Sequence, residues 1–65
     1  MMTEFDYIIG KELSEAKNLV YNDGDYHIRV MKENGEKYYG TADFDLKRIN
    51  VAIVGTTITQ ILNIG

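Results

Sequence analysis

Arg48 and Asp43 are the side chains whose types and spacing point most directly to chemistry. Arginine is a planar fork of five donors, and here it opens an alternating strand pattern just after the small-residue run Thr41-Ala42-Asp43-Phe44. Bonds from a guanidinium to a carboxylate are charge-assisted and among the stronger kinds, so Arg48 can hold the Asp43 carboxylate, the Thr41 hydroxyl or loop carbonyls. Asn50 carries both a donor and an acceptor and can brace the same stretch from further along the strand. The chemistry this permits is recognition, because a segment held in an extended form loses little entropy on docking. The expected binding loop is therefore Gly40, Thr41, Ala42, Asp43 and Phe44, with Arg48 and Asn50 as its braces. The plainer account is a surface ion pair worth roughly 0 to 1 kcal/mol.

Catalytic chemistry finds little support. Ser14 lies in a helical pattern, the threonines fall in strands and turns, and His27 has no partner defined by spacing, so no nucleophile and base come together and the chain is not expected to be an enzyme. The absence of cysteine excludes disulfides and thiolate metal sites. No cofactor or metal is expected, and Asp23, Asp25, Asp43 and Asp45 lack calcium-loop spacing and read as turn formers. A second candidate surface is Tyr38 and Tyr39 with Lys37 and Asn34; tyrosines beside Lys32 and Lys37 can stack a nucleobase or grip a partner. One of the two tyrosines is expected to face the sheet and the other to cover it. A net charge of -3 offers no footprint for a phosphate backbone, so nucleic acid is not an expected partner. No apolar run approaches the roughly 20 residues needed to span a bilayer, so no membrane association and a cytoplasmic location are expected.

The elements that must position these residues can be read from periodicity. Leu13, Ala16, Leu19 and Val20 share one side of a helix over 13–21, with Ser14, Glu15, Lys17 and Asn18 opposite. Asn22-Asp23-Gly24-Asp25 should end it, with Gly24 taking positive φ. Tyr26, Ile28 and Val30 alternate with His27, Arg29 and Met31 in a first strand, and Asn34-Gly35 is a strong hairpin signal. Residues 37–40 would return. Ile49, Val51 and Ile53 face a core while Arg48 and Asn50 face away. After a turn at 54–57, Ile58, Gln60, Leu62 and Ile64 alternate with Thr57, Thr59, Ile61 and Asn63 in a closing strand beside 48–54. With 65 residues the chain makes one domain, residues 1–65. It belongs to the α+β class, one helix on a small mixed sheet, and such a chain buries only about 60% of its unfolded surface.

The order of these elements resembles the potato inhibitor I family of serine-protease inhibitors, the group of chymotrypsin inhibitor 2 and eglin c. The residues carrying the resemblance are Ile9-Gly10-Lys11-Glu12-Leu13-Ser14-Glu15-Ala16-Lys17 at the front, Thr41-Ala42-Asp43 in the middle, then Arg48-Ile49-Asn50-Val51, Ile58-Thr59-Gln60-Ile61 and Gly65. Asn in Arg-Ile-Asn-Val is closer to the bacterial branch. The resemblance implies a reactive loop in which Thr41 precedes Ala42, the residue whose carbonyl a protease attacks, and Asp43 follows it. Three departures stand out: the connection before Thr41 is longer and contains the hairpin signal, Gly40 stands where the family favours stiffer residues, and Asn50 replaces a second arginine.

Two functions follow as expectations. The first is a small inhibitor presenting 40–44 to a serine protease in substrate-like fashion. The second is an interaction protein on the same scaffold that uses the 31–41 hairpin to bind and disable a host defence factor or to sequester a small ligand. The richness in Ile, Asn, Lys and Tyr is compatible with an AT-rich genome of the kind many phages and low-GC bacteria have. A homo-oligomer through the hairpin edge would bury surface that a thin core cannot, although Lys32, Glu33, Glu36 and Lys37 place charges on that edge.

Overall fold

A computed structural model of the chain describes residues 4–40 and 43–65. After a short 3-10 turn at Asp6–Ile8 come helix α1 (Leu13–Gly24) and strands β1 (His27–Glu33), β2 (Glu36–Lys37), β3 (Arg48–Val54) and β4 (Thr57–Ile64). The strands form one mixed sheet in the order β2-β1-β3-β4. The central pair β1 and β3 is parallel, and both flanking pairs are antiparallel. This is the α+β arrangement expected, one helix packed on a small mixed sheet with an added hairpin at Asn34-Gly35.

One face of the sheet is apolar because β3 alternates as its sequence predicts. Ile49, Val51 and Ile53 turn inward and meet Ala16 and Val20 of α1, with Phe5, Ile8 and Ile58 closing the core. Of the expected helical stripe, Ala16 and Val20 are buried while Leu13 is only partly so and Leu19 is exposed. Phe5 and Ile8 occupy the space further along the sheet. Phe5 also packs edge-on against Tyr26, ring centroids 4.7 Å apart.

The helix runs past its predicted end. Asn22, Asp23 and Gly24 stay helical, and the left-handed residue is Asp25, at φ 61°. The Asp25 N–H donates to the Tyr21 carbonyl at 2.8 Å, the bond of an αL-type cap, and the Tyr26 N–H donates to the Val20 carbonyl at 3.2 Å. Asp can occupy this region because its short polar side chain bonds locally. Lys47 adds a further cap: its ammonium donates to the Gly24 carbonyl at 2.9 Å and lies 4.4 Å from the centre of the Tyr26 ring.

Strand β4 departs from simple alternation. Its pairing skips Thr59 between Ile53–Ile58 and Ala52–Gln60, and skips Leu62 between Val51–Ile61 and Asn50–Asn63. Each extra residue shifts the phase of the strand by one. The residues packed inward are consequently Ile58, Ile61 and Ile64, which follow no single alternation, while Gln60 and Leu62 are exposed. The start of β4 is held by the segment before the helix, where Ile58 exchanges backbone bonds with Gly10 and Lys11 at 2.8 and 2.9 Å. The hairpin turn has Asn34 and Gly35 both at positive φ, 51° and 88°, the requirement of the turn that suits twisted strands. Among the described residues, no helix is long and apolar enough to cross a membrane.

Ile58 is fully buried in the middle of this core. Ile58→Val should lower stability by about 0.5–1.5 kcal/mol, read as a shift in the denaturant midpoint with unchanged slope.

Candidate functional site

The second face of the sheet explains where the polar residues of β3 go. Parallel pairing brings β1 and β3 side by side, so the chain must travel back across the sheet between the end of β1 and the start of β3. The described ends of that return, Gly40 and Asp43, meet Arg29 and Arg48 on the face opposite the helix. Arg48 and Asn50 project into the covered space and are buried, at 9% and 3% exposure. They face away from the apolar core as their alternation predicts, and the connection on that side contributes to their burial.

Arg48 spends all three guanidinium nitrogens on backbone and loop. Nη1 donates to Asp43 Oδ2 at 3.1 Å and Nη2 to the Asp43 carbonyl at 3.1 Å. Nε donates to the Gly65 carbonyl at 3.0 Å, while the Gly65 N–H donates to the Arg48 carbonyl at 2.9 Å. The brace from Arg48 to Asp43 is thus present. The Asp43 side chain is largely exposed but the arginine side chain is not, with 59% and 11% accessible. This asymmetry separates the contact from an ordinary surface pair. The Arg48 hydrogen bond, opposed by some desolvation, holds the Asp43 carboxyl below the usual carboxylate range, and Arg29 acts in the same direction.

Among the described residues, the side-chain hydrogen bonds of Asn50 go to groups other than the loop. Its Nδ2 donates to Asn63 Oδ1 at 2.7 Å and to the Gly65 carbonyl at 2.8 Å, and its Oδ1 accepts from Arg29 Nε at 2.8 Å. The loop is reached through Arg29. A Cβ on Gly40 would stand 3.0 Å from Cζ and both Nη atoms of Arg29, so the guanidinium lies directly against the Gly40 backbone. Arg29 and Asn50 are register partners in the parallel ladder. The signal that could have found Arg29 is its shared phase with His27 in the alternation of β1, which puts it on the face of Arg48 and Asn50.

The remainder of the loop is tied at its second end. Asp45 accepts from the Lys47 N–H at 2.9 Å through Oδ1, and its Oδ2 lies 3.1 Å from His27 Nε2. Asp45 therefore forms the turn expected of it, and His27 is a half-exposed strand residue with that carboxylate beside it. Phe44 is 72% exposed although the edge of its ring approaches Gly65. Thr41 and Ala42, the centre of the predicted loop, lie outside the described residues.

The second candidate surface is only partly assembled. Asn34 uses its Oδ1 to accept from the Gly55 N–H at 2.8 Å and so joins the two turns of the sheet. The Tyr38 hydroxyl donates to Glu33 at 2.7 Å, a bond that raises the pKa of the phenol. Tyr38 is half exposed and Tyr39 wholly so. β2 ends at Lys37, so there is no further strand beneath Tyr39. Lys37 is exposed on the sheet face opposite the helix.

Comparison with known proteins finds no family model that matches the chain, and no curated protein that matches it.

Asp43 should titrate below the usual carboxylate range, because a depressed folded value means the contact is complete above the unfolded pKa and is lost as pH falls through the folded one. Carboxyl NMR should show this midpoint moving up in Arg48→Gln. Gly40→Ala should displace the Arg29 guanidinium and be destabilising, whereas in an Arg29→Ala background the same change should cost much less. A denaturant double-mutant cycle measures that coupling.

Proposed function

We propose that the chain is a non-enzymatic inhibitor that offers residues 40–44 to a serine protease as an over-stable substrate. The reading combines the resemblance carried by the sequence with one observation, the two bonds from Arg48 to Asp43. If Ala42 is the residue whose carbonyl the protease serine attacks, Asp43 carries the amine that leaves. Arg48 holds Asp43 by carboxylate and by carbonyl, and is itself fixed by Gly65. An amine released on Asp43 stays beside the acyl group, which favours resealing of the peptide bond over departure of the fragment. Restraint before binding also lowers the ordering cost of docking. Arg29 against Gly40 supports the other flank, where this chain lacks the stiffer residues of the family. A small Ala42 suits elastase-like or broad subtilisin-like pockets.

A second reading keeps the scaffold and places a host factor at the hairpin. The full exposure of Tyr39 favours it, since an aromatic side chain with no intramolecular cover is a ready interface anchor. In that case Tyr38→Ala and Tyr39→Ala abolish partner binding and replacements of Ala42 do not.

Incubation with subtilisin and elastase, followed by residual activity on a chromogenic substrate, tests the first reading. The expected result is saturable inhibition, a change of preferred protease in Ala42→Leu and Ala42→Tyr, and at least tenfold weaker inhibition in Arg48→Gln. Failure of the parent chain and both Ala42 variants to inhibit any of subtilisin, elastase or chymotrypsin overturns it.

A further inference from the structure

The outer face carries a charge arrangement that the inhibitory loop does not use. One register row crosses all four strands: Lys37 of β2 pairs with Lys32 of β1, Lys32 with Ala52 of β3, and Ala52 with Gln60 of β4. Directly paired residues project to the same side of a sheet. Two lysines thus occupy directly paired positions on one side of the sheet, with the small Ala52 between them and Gln60. Like charges directly opposite in a ladder are destabilising. Among the described residues neither lysine has a carboxylate within 4.0 Å. The carboxylates closest in sequence, Glu33 and Glu36, are register partners on the alternate phase, and Glu33 is engaged by the Tyr38 hydroxyl at 2.7 Å.

This row lies where two concavities meet. A groove of about 400 Å³ is lined by Met31, Lys32, Lys37, Tyr38, Gln60 and Leu62. A second hollow of about 250 Å³ shares Lys32 and Gln60 with it and has Ala52 in its wall. Two bulges provide apolar lining residues: Leu62 is an extra residue of β4, and β1 has a bulge of its own, with Met31 as the extra residue between Val30 and Lys32. The outer face therefore combines paired positive charge with apolar and aromatic surface from Met31, Leu62 and Tyr38.

We propose that this groove binds a phosphate monoester with an aromatic body. A phosphate monoester carries close to two negative charges at neutral pH, which matches two lysines acting as point charges, and Gln60 can donate to a remaining oxygen. The aromatic portion lies along Met31, Tyr38 and Leu62. Occupancy sets a dianion against two cations that have no carboxylate within 4.0 Å among the described residues. The site is distinct from the 40–44 loop and stands whether or not that loop inhibits a protease. The same chemistry is offered by a mononucleotide and by a phosphorylated tyrosine.

Amide NMR titration with AMP, O-phosphotyrosine, adenosine and inorganic phosphate tests the assignment. AMP or O-phosphotyrosine should perturb Met31, Lys32, Lys37, Tyr38, Gln60 and Leu62 saturably, and the tighter of the two identifies the source. Adenosine and inorganic phosphate should each bind at least tenfold more weakly, because each supplies half of the chemistry. Lys37→Gln on the exposed edge should weaken binding at least tenfold, and Lys37→Glu should abolish it while raising the Tm of the ligand-free protein. Absence of saturable shifts with both monoesters, or equal binding by adenosine or inorganic phosphate, overturns the proposal. So does retained binding in Lys32→Gln/Lys37→Gln. An unchanged or lowered Tm in Lys37→Glu removes its premise.

Discussion

A guanidinium placed under a loop, with every nitrogen occupied, is the constraint on which this small structure turns. Arg48 sits at the start of β3, buried by the connection it holds, and joins that connection at Asp43 to the Gly65 carbonyl next to β4. Removing a charge from water is costly unless it is paired and its donors are satisfied. The arrangement meets both conditions, since Asp43 supplies the charge and two carbonyls take the remaining donors. No buried side-chain nitrogen or oxygen among the described residues lacks a partner. Loop position and sheet closure are consequently one cooperative matter, because neither can be lost without exposing polar groups that were bonded.

The two faces of the sheet divide the work. Helix α1 and the N-terminal turn cover an apolar face in which Ile49, Val51 and Ile58 are completely buried. The opposite face is covered by a connecting segment over polar side chains, with Arg29, Asn50 and Asn63 linked in sequence. A chain of this length cannot bury two apolar faces, because surface remains large relative to volume. A bonded polar network requires less cover than an apolar layer would. It also fixes orientation, as hydrogen bonds are directional where apolar packing is not.

Much of this was legible in the residues, for identifiable reasons. The Ala16 and Val20 face of the helix, the alternation of β3 and the Asn34-Gly35 turn are local signals with strong physical causes, and each appears as read. The reach of Arg48 to Asp43 was legible because five residues separate them across a single turn. What was not legible depended on register. The bulges at Thr59 and Leu62 leave no mark in an apolar stretch such as Ile61-Leu62, where either residue could turn inward. Arg29 was passed over because its partners, Asn50 and Gly40, become neighbours only once β1 and β3 align in parallel. The burial of Asn50 and its bond to Gly65 likewise require knowing which segment covers the outer face. Asp25 took the left-handed position expected of Gly24 because the closing bonds of the helix fall one residue later.

The parallel alignment of β1 and β3 sets a floor on the length of chain between them. Each strand has seven residues, which at roughly 3.3 Å per residue means a return path of about 23 Å. Fully stretched backbone covers this in about seven residues, whereas residues 34–47 intervene. About half of the connection is therefore surplus to the topological requirement. Deletions soon meet a hard limit at which the central ladder cannot form, while insertions meet only the slow logarithmic growth of closure entropy, about 0.6 kcal/mol per doubling. The molecule is thus free to lengthen and vary its most exposed segment by descent, but not to dispense with it.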